Sequence, residues 1–257
     1  MSREKSGAHR ESTPWRLMRA VDVLVALQLS HIRVSGREHL DAIQPGGTYI
    51  IATTHHSDLD VAATIATIGR QVDLAIVDQS VHHSPQTELS MYVGLQLAGQ
   101  SNFIPVDWRR TANAKVPGTF NPDNYAPMLR ALKSGKRVLI AAHNPRTLDT
   151  DGGIGHGATY LAALSGATII PVAVRLSRKD LGVAGTSLST FFNKPSAHVI
   201  IGAPIIPRTI DGIETLGTLI HNKGAPERLA AFTRIKNSLK VESALLDRRL
   251  ATLSKTQ

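Results

Sequence analysis

The chain has 257 residues, enough for one sizeable core, and its 42% hydrophobic and 19% charged residues are a globular rather than a disordered balance. Lysine and arginine number 29 against 20 acidic residues, a net charge of +9, and the absence of cysteine excludes disulfides, thiolate catalysis and Cys-ligated zinc or iron–sulfur centres. With 4% aromatic residues and no zinc-finger spacing, RNA-binding signature or long basic run, the charge points to an anionic membrane or a phosphorylated substrate, and no nucleic-acid partner is expected.

Residues 1–13 read as a mobile polar arm without a signal-peptide core. Over 14–30, Leu17, Val21, Leu24 and Val25 recur at helical spacing, with Arg16, Arg19 and Asp22 on another face. This amphipathic helix either packs on the domain or lies on a bilayer surface with its arginines at the headgroups. No apolar run approaches the ~18–20 residues of a membrane span, so the expected location is cytoplasmic, peripheral at the inner face of the membrane. Short apolar strands then alternate with helical stretches. Strands are predicted at 32–34, 48–52, 72–77, 102–106, 137–142, 168–174 and 198–201. Helices are predicted from Val61 to a stop at Gly69, at 88–98, from Met128 to a stop at Gly135, and from Ala158 to a stop at Gly166.

That alternation predicts an α/β fold, a mostly parallel central sheet flanked by helices. Polar stretches at 107–123 and 175–196 read as long loops. From Pro226 onward Leu229, Phe232, Ile235, Leu239, Leu246 and Leu250 share a stripe, predicting a long C-terminal helix of structural role. The expected organisation is one domain over 14–257: the amphipathic helix, a motif-bearing core over 31–207 and a C-terminal helical region over 208–257.

Chemistry concentrates in Thr53-Thr54-His55-His56-Ser57-Asp58-Leu59-Asp60, between a strand and a helix. Residues at a strand's C-terminal end project into the crevice where α/β proteins bind ligands. An imidazole there can take a proton from a hydroxyl near neutral pH, and a carboxylate one turn on can fix its tautomer. Two other readings stand beside this dyad of His55 and Asp60. Ser57 and Asp60 also suit a helix N-cap with an acidic first turn, which leaves His55 and His56 unexplained. His55, His56, Asp58 and Asp60 could also serve a metal-dependent hydrolase, although their spacing matches no standard zinc pattern.

The ordered motifs resemble those of the glycerophospholipid acyltransferase family, whose bacterial members acylate lysophosphatidic acid. The family's Asn-His-x-Ser-x-x-Asp block is similar to Thr54 through Asp60, with Thr54 replacing asparagine. Its Phe-Ile strand followed by an arginine resembles Phe103-Ile104-Pro105-Val106-Asp107-Trp108-Arg109-Arg110. The small-residue helix leading into Ile-Ile-Pro-Val resembles Gly157 through Val174 with Pro171 at its centre, and Ile201-Gly202-Ala203-Pro204-Ile205 resembles the family's usual end, so the likeness runs from about Ile32 to Pro207. By that resemblance His55 is the general base on the acceptor hydroxyl and Asp60 its orienting partner. The hydroxyl attacks the thioester of an acyl-CoA or acyl-carrier protein directly, without an acyl-enzyme. Arg109 or Arg110 binds the acceptor's phosphate, for which a planar guanidinium is suited. Ser57, His143 and Arg146 complete the acceptor site, and no cofactor or metal is implied. The partners implied are the acyl donor, a lysophospholipid or other hydroxyl acceptor, and an anionic membrane surface.

The third block departs from the family. Where the family has Phe-Pro-Glu-Gly-Thr-Arg, this chain has Ala141-Ala142-His143-Asn144-Pro145-Arg146. The arginine is kept, but a histidine stands in the glutamate position and alters the charge pattern around the acceptor. That departure motivates the alternative of a non-catalytic lipid- or acyl-carrier-binding relative.

Overall fold

A β-branched run with little polar surface on either side is stable only between two covering layers, and this chain builds its sheet from such runs. The computed structural model describes residues 29–41, 47–55, 58–68, 72–78, 103–106, 122–142, 157–177, 194–206, 230, 233–234 and 237–255. The strands are β1 (Ile32–Ser35), β2 (Tyr49–Thr53), β3 (Leu74–Asp78), β4 (Phe103–Val106), β5 (Val138–Ala141), β6 (Thr168–Leu176) and β7 (Ala197–Ile201). The helices are α1 (Glu38–Asp41), α2 (Asp58–Ile68), α3 (Pro122–Lys133), α4 (Gly157–Ser165) and α5 (Lys240–Lys255).

The strands form one seven-stranded sheet in the order β1-β7-β6-β2-β5-β3-β4. From β6 to β4 every neighbour is parallel; β7 runs antiparallel to β6, and β1 is parallel to β7. The sheet is therefore mostly parallel and flanked by helices, as expected. Strand β2 lies at its centre with all five residues buried. Alternation sends Ile50 and Ala52 to one face, where Met128 and Leu132 of α3, Leu161 of α4 and Leu246 and Leu250 of α5 cover them. Tyr49 and Ile51 point the other way, among Leu40 of α1 and Leu59, Ala63 and Ile68 of α2. Truncating Ile51 to alanine in such an environment costs about 2–5 kcal/mol.

Several predicted boundaries shift for local reasons. Helix α3 starts at Pro122, well before Met128, because a proline at the first helical position needs no N–H partner. Pro127 lies inside this helix, where proline ordinarily breaks one. Residues 122–123 therefore belong to a helix rather than to the expected loop over 107–123, of which 107–121 lie outside the described residues. Strand β6 continues to Leu176, because Arg175 and Leu176 pair with His198 and Ala197, so the second expected loop begins later. The predicted stops at Gly135 and Gly166 hold: both take positive φ, 83° and 70°, and their N–H groups close the helix ends onto Leu132 and Ala162.

The N-terminal amphipathic helix lies outside the described residues up to residue 28, and Leu29 and Ser30 are not helical; Ser30 donates its N–H to the Pro195 carbonyl. The helix predicted at 88–98 also lies outside them. At the other end α5 begins at Lys240 after a turn at Leu239, with Leu239, Leu246 and Leu250 buried; Pro226, Leu229, Phe232 and Ile235 of the expected helix lie outside the described residues. Among the described residues no helix is long and apolar enough to cross a membrane.

Candidate functional site

Strands β2 and β5 end side by side while β6 runs on, with Thr53 of β2 registered against Val172 and Ala141. Beyond that rung β2 begins to leave the sheet. The Thr54 N–H still donates to the Val172 carbonyl at 3.0 Å, and the Ala142 N–H donates to the Thr53 carbonyl at 2.8 Å. At the next rung the Val174 N–H of β6 meets a side chain instead of backbone: the Thr54 hydroxyl accepts it at 2.9 Å. Thr54 is fully buried, so its hydroxyl satisfies a donor that the departing backbone leaves behind. The next residue, His55, is partly exposed.

The helix that follows is tied to the same strand. Thr64 of α2 donates its hydroxyl proton to the Asp60 carbonyl at 2.8 Å. That uses its one proton, so the Thr53 hydroxyl is the donor in the 3.0 Å bond to Thr64. Both threonines are fully buried, and Leu59 is sunk into the core beneath α2. Asp60, the third residue of α2, is 1% exposed. His55 thus lies two residues past β2 and Asp60 in the first turn of α2, and both of these elements are anchored in the core. Of the other predicted site residues, Ser57, Arg109, Arg110, His143 and Arg146 lie outside the described residues; His143 directly follows Ala142, whose N–H is bonded to β2. Among the described residues no three His, Asp or Glu side chains form a metal-holding group; His56 and the Asp58 side chain lie outside them.

The far end of the sheet is clamped. Arg137, at the start of β5, donates from Nε and from its own backbone N–H to Asp73 Oδ2, each at 2.8 Å, and from a terminal nitrogen to Oδ1 at 3.0 Å. Burial alone would raise the Asp73 carboxyl, but these hydrogen bonds and the guanidinium charge outweigh it and hold the carboxyl below its ordinary range. Burial raises the neighbouring Tyr49 phenol, against the pull of Arg137.

On the face covered by α3 and α4, Tyr125 and Tyr160 meet edge to face with centroids 5.9 Å apart. Burial pushes the Tyr160 phenol up to about 12 and the Tyr125 phenol higher still. Gly157 opens α4 against this pair; a Cβ there would come within 2.7 Å of the Tyr125 ring. Thr159 and Ser243 join α4 to α5 through a buried hydroxyl bond of 2.9 Å.

Two features escaped the sequence reading. Thr54 looked like a mere replacement for asparagine, and its role is visible only once β6 is known to outrun β2. His198 carried no linear pattern, yet its strand register places it between two arginines.

The sequence matches no protein-family model and no curated protein. Among solved structures the chain is similar to the 1-acyl-sn-glycerophosphate (LPA) acyltransferase PlsC from Thermotoga maritima, at 14% identity and a TM-score of 0.48, over 87% of this chain and 78% of that one.

Proposed function

We propose that the chain is an O-acyltransferase that moves a fatty acyl group from acyl-CoA or acyl-carrier protein to a hydroxyl of a lysophospholipid or glycerol-phosphate-type acceptor. The observation that carries this reading is His55, partly exposed where the central buried strand leaves the sheet, with Asp60 buried in the first turn of the next helix. The order of residues from Thr54 to Asp60 supports the same reading.

In this mechanism the His55 imidazole accepts the proton of the acceptor hydroxyl as its oxygen attacks the thioester carbonyl. The C–O ester bond forms, the C–S bond breaks, and the imidazolium returns its proton to the departing thiolate. Asp60 orients the imidazole and stabilises its charged form, as a buried carboxylate does in other acid–base dyads. General base catalysis of this kind contributes about 10²–10⁴-fold. Arg109 or Arg110, with Arg146, would neutralise the acceptor's phosphate, while Ser57 and His143 complete its contacts. The net charge of +9 suits a donor, an acceptor and a membrane surface that are all anionic.

His143 favours a second reading, a non-catalytic lipid- or carrier-binding relative, because it replaces an acceptor by a group that donates as readily. Labelled acyl-CoA and acyl-carrier protein, incubated with a panel of lysolipids and read by mass spectrometry, separate the two. An acylated lipid from the wild type and none from a folded His55→Ala variant supports the transferase. Specific binding without product from either protein supports the second reading.

A further inference from the structure

Two threonines meet between β2 and α2. The Thr53 hydroxyl donates to Thr64 Oγ1 at 3.0 Å, and the Thr64 hydroxyl donates to the Asp60 carbonyl at 2.8 Å. Two hydrogen bonds in series therefore run from the last residue of β2 to the backbone of Asp60. All three residues are buried. The strand end of this chain is fixed, because Thr53 is registered against both β5 and β6 and its carbonyl accepts the Ala142 N–H at 2.8 Å. The other end is the residue whose carboxylate the proposed mechanism uses.

Stability does not call for such a chain. Valine has nearly the shape of threonine, and replacing both partners of a buried hydrogen bond by apolar groups of the same shape is nearly neutral or stabilising. Leu59, Ala63 and Ile68 already seat α2 in the core. Apolar attraction is non-directional, whereas a hydrogen bond weakens steeply as its angle closes. The hydroxyl chain thus specifies where the first turn of α2 stands relative to the end of β2 more sharply than packing does. Thr67 offers a comparison within the same helix: its hydroxyl donates to the Ala63 carbonyl at 2.8 Å, one turn further from Asp60.

We infer that Thr53 and Thr64 are positioning residues, whose hydroxyl chain sets the Asp60 carboxylate at its working place relative to the His55 imidazole. His55 lies two residues beyond Thr53, so the end of β2 carries the base directly and its partner through the two hydroxyls. The inference deepens the acyltransferase reading and rests on it. Both threonines act through Asp60 rather than on substrate.

The test compares Thr53→Val/Thr64→Val with the wild type in acyl transfer and in the ¹⁵N NMR signals of the His55 ring, which report its tautomer and hydrogen bonds. In transfer, kcat should fall about 10²-fold, the cost of about 1 Å of misplacement, while KM for the acyl donor moves less than about threefold. Thr53→Ser/Thr64→Ser keeps both hydroxyls and should stay within about threefold of the wild type. In an Asp60→Asn background the valine pair should cost less than about threefold more, because residues that act as a unit are not additive. In the spectra, the valine pair should move the His55 signals in the direction that Asp60→Asn moves them. Thr67→Val should leave both kcat and the His55 signals unchanged. Thr64→Ala, which breaks the chain by truncation, replaces the valine pair if melting curves show that pair unfolded. A kcat within a few-fold of the wild type in the folded chain variant, an equal loss in Thr67→Val, or a full further loss in the Asp60→Asn background overturns the proposal. So do His55 signals that move with Asp60→Asn and not with the chain variant. Signals that ignore Asp60→Asn as well overturn the dyad and this proposal together. A wild type that forms no acylated lipid ends the transferase reading, and the His55 spectra then decide this proposal by themselves.

Discussion

Thr54→Val tests how the site is built. The substitution keeps the shape and removes one hydroxyl, the acceptor for the Val174 N–H. Thr54 is fully buried, so no bulk water can replace the lost partner. A buried N–H left without an acceptor costs about 1–3 kcal/mol. In a domain of this size each kcal/mol lowers the melting temperature by about 2–4 °C, so the variant should melt about 2–12 °C below the wild type. Thr54→Ser, which keeps the hydroxyl, should recover most of that loss. The assay is thermal unfolding by far-UV circular dichroism, with urea titration as a check that the m-value is unchanged. A Thr54→Val protein as stable as the wild type would refute the claim that this side chain completes the β6 ladder where β2 departs.

Asp73→Asn should destabilise the fold by about 1–3 kcal/mol at pH 7, since it breaks a bidentate pair whose side chains are only 29% and 27% exposed. Because the Asp73 carboxyl is held below its ordinary value near 3.9, its stabilisation is present above that pH and lost as pH falls through the depressed value. The gap between wild type and variant in urea titrations should therefore close below about pH 4, and a gap independent of pH contradicts the assignment. Asp60→Asn should lower kcat by about 10²–10⁴ while KM for the acyl donor moves less than about threefold, the pattern of a group that orients the base. A KM effect with kcat unchanged would make Asp60 a binding residue instead.

The architecture was readable because a parallel strand buried on both faces leaves an almost uninterrupted apolar run, as Tyr49–Thr53 does. Helix ends were readable where glycine alone suits the geometry, at Gly135 and Gly166. Strand direction was not, since β7 reverses through pairings that no local pattern encodes. The start of α3 was hidden because the same residue type opens helices and breaks them, and Pro122 does the first while Pro127 sits inside. The placement of His55 just past a strand and of Asp60 in a helix's first turn was legible because the Tyr49–Thr53 run and the helix that follows have local signatures. The Thr54 hydroxyl, the Asp73–Arg137 clamp and the register of His198 between Arg33 and Arg175 were not, because each joins residues far apart in the chain.

The central claim is that the His55 imidazole takes the acceptor's proton. It is tested most directly by counting acylated lipid formed per enzyme by wild type and by His55→Ala under identical conditions, with folding of both verified by their melting curves. The account predicts steady turnover by the wild type and a loss of at least about 10²-fold in the folded variant. Turnover by the variant within a few-fold of the wild type would contradict it.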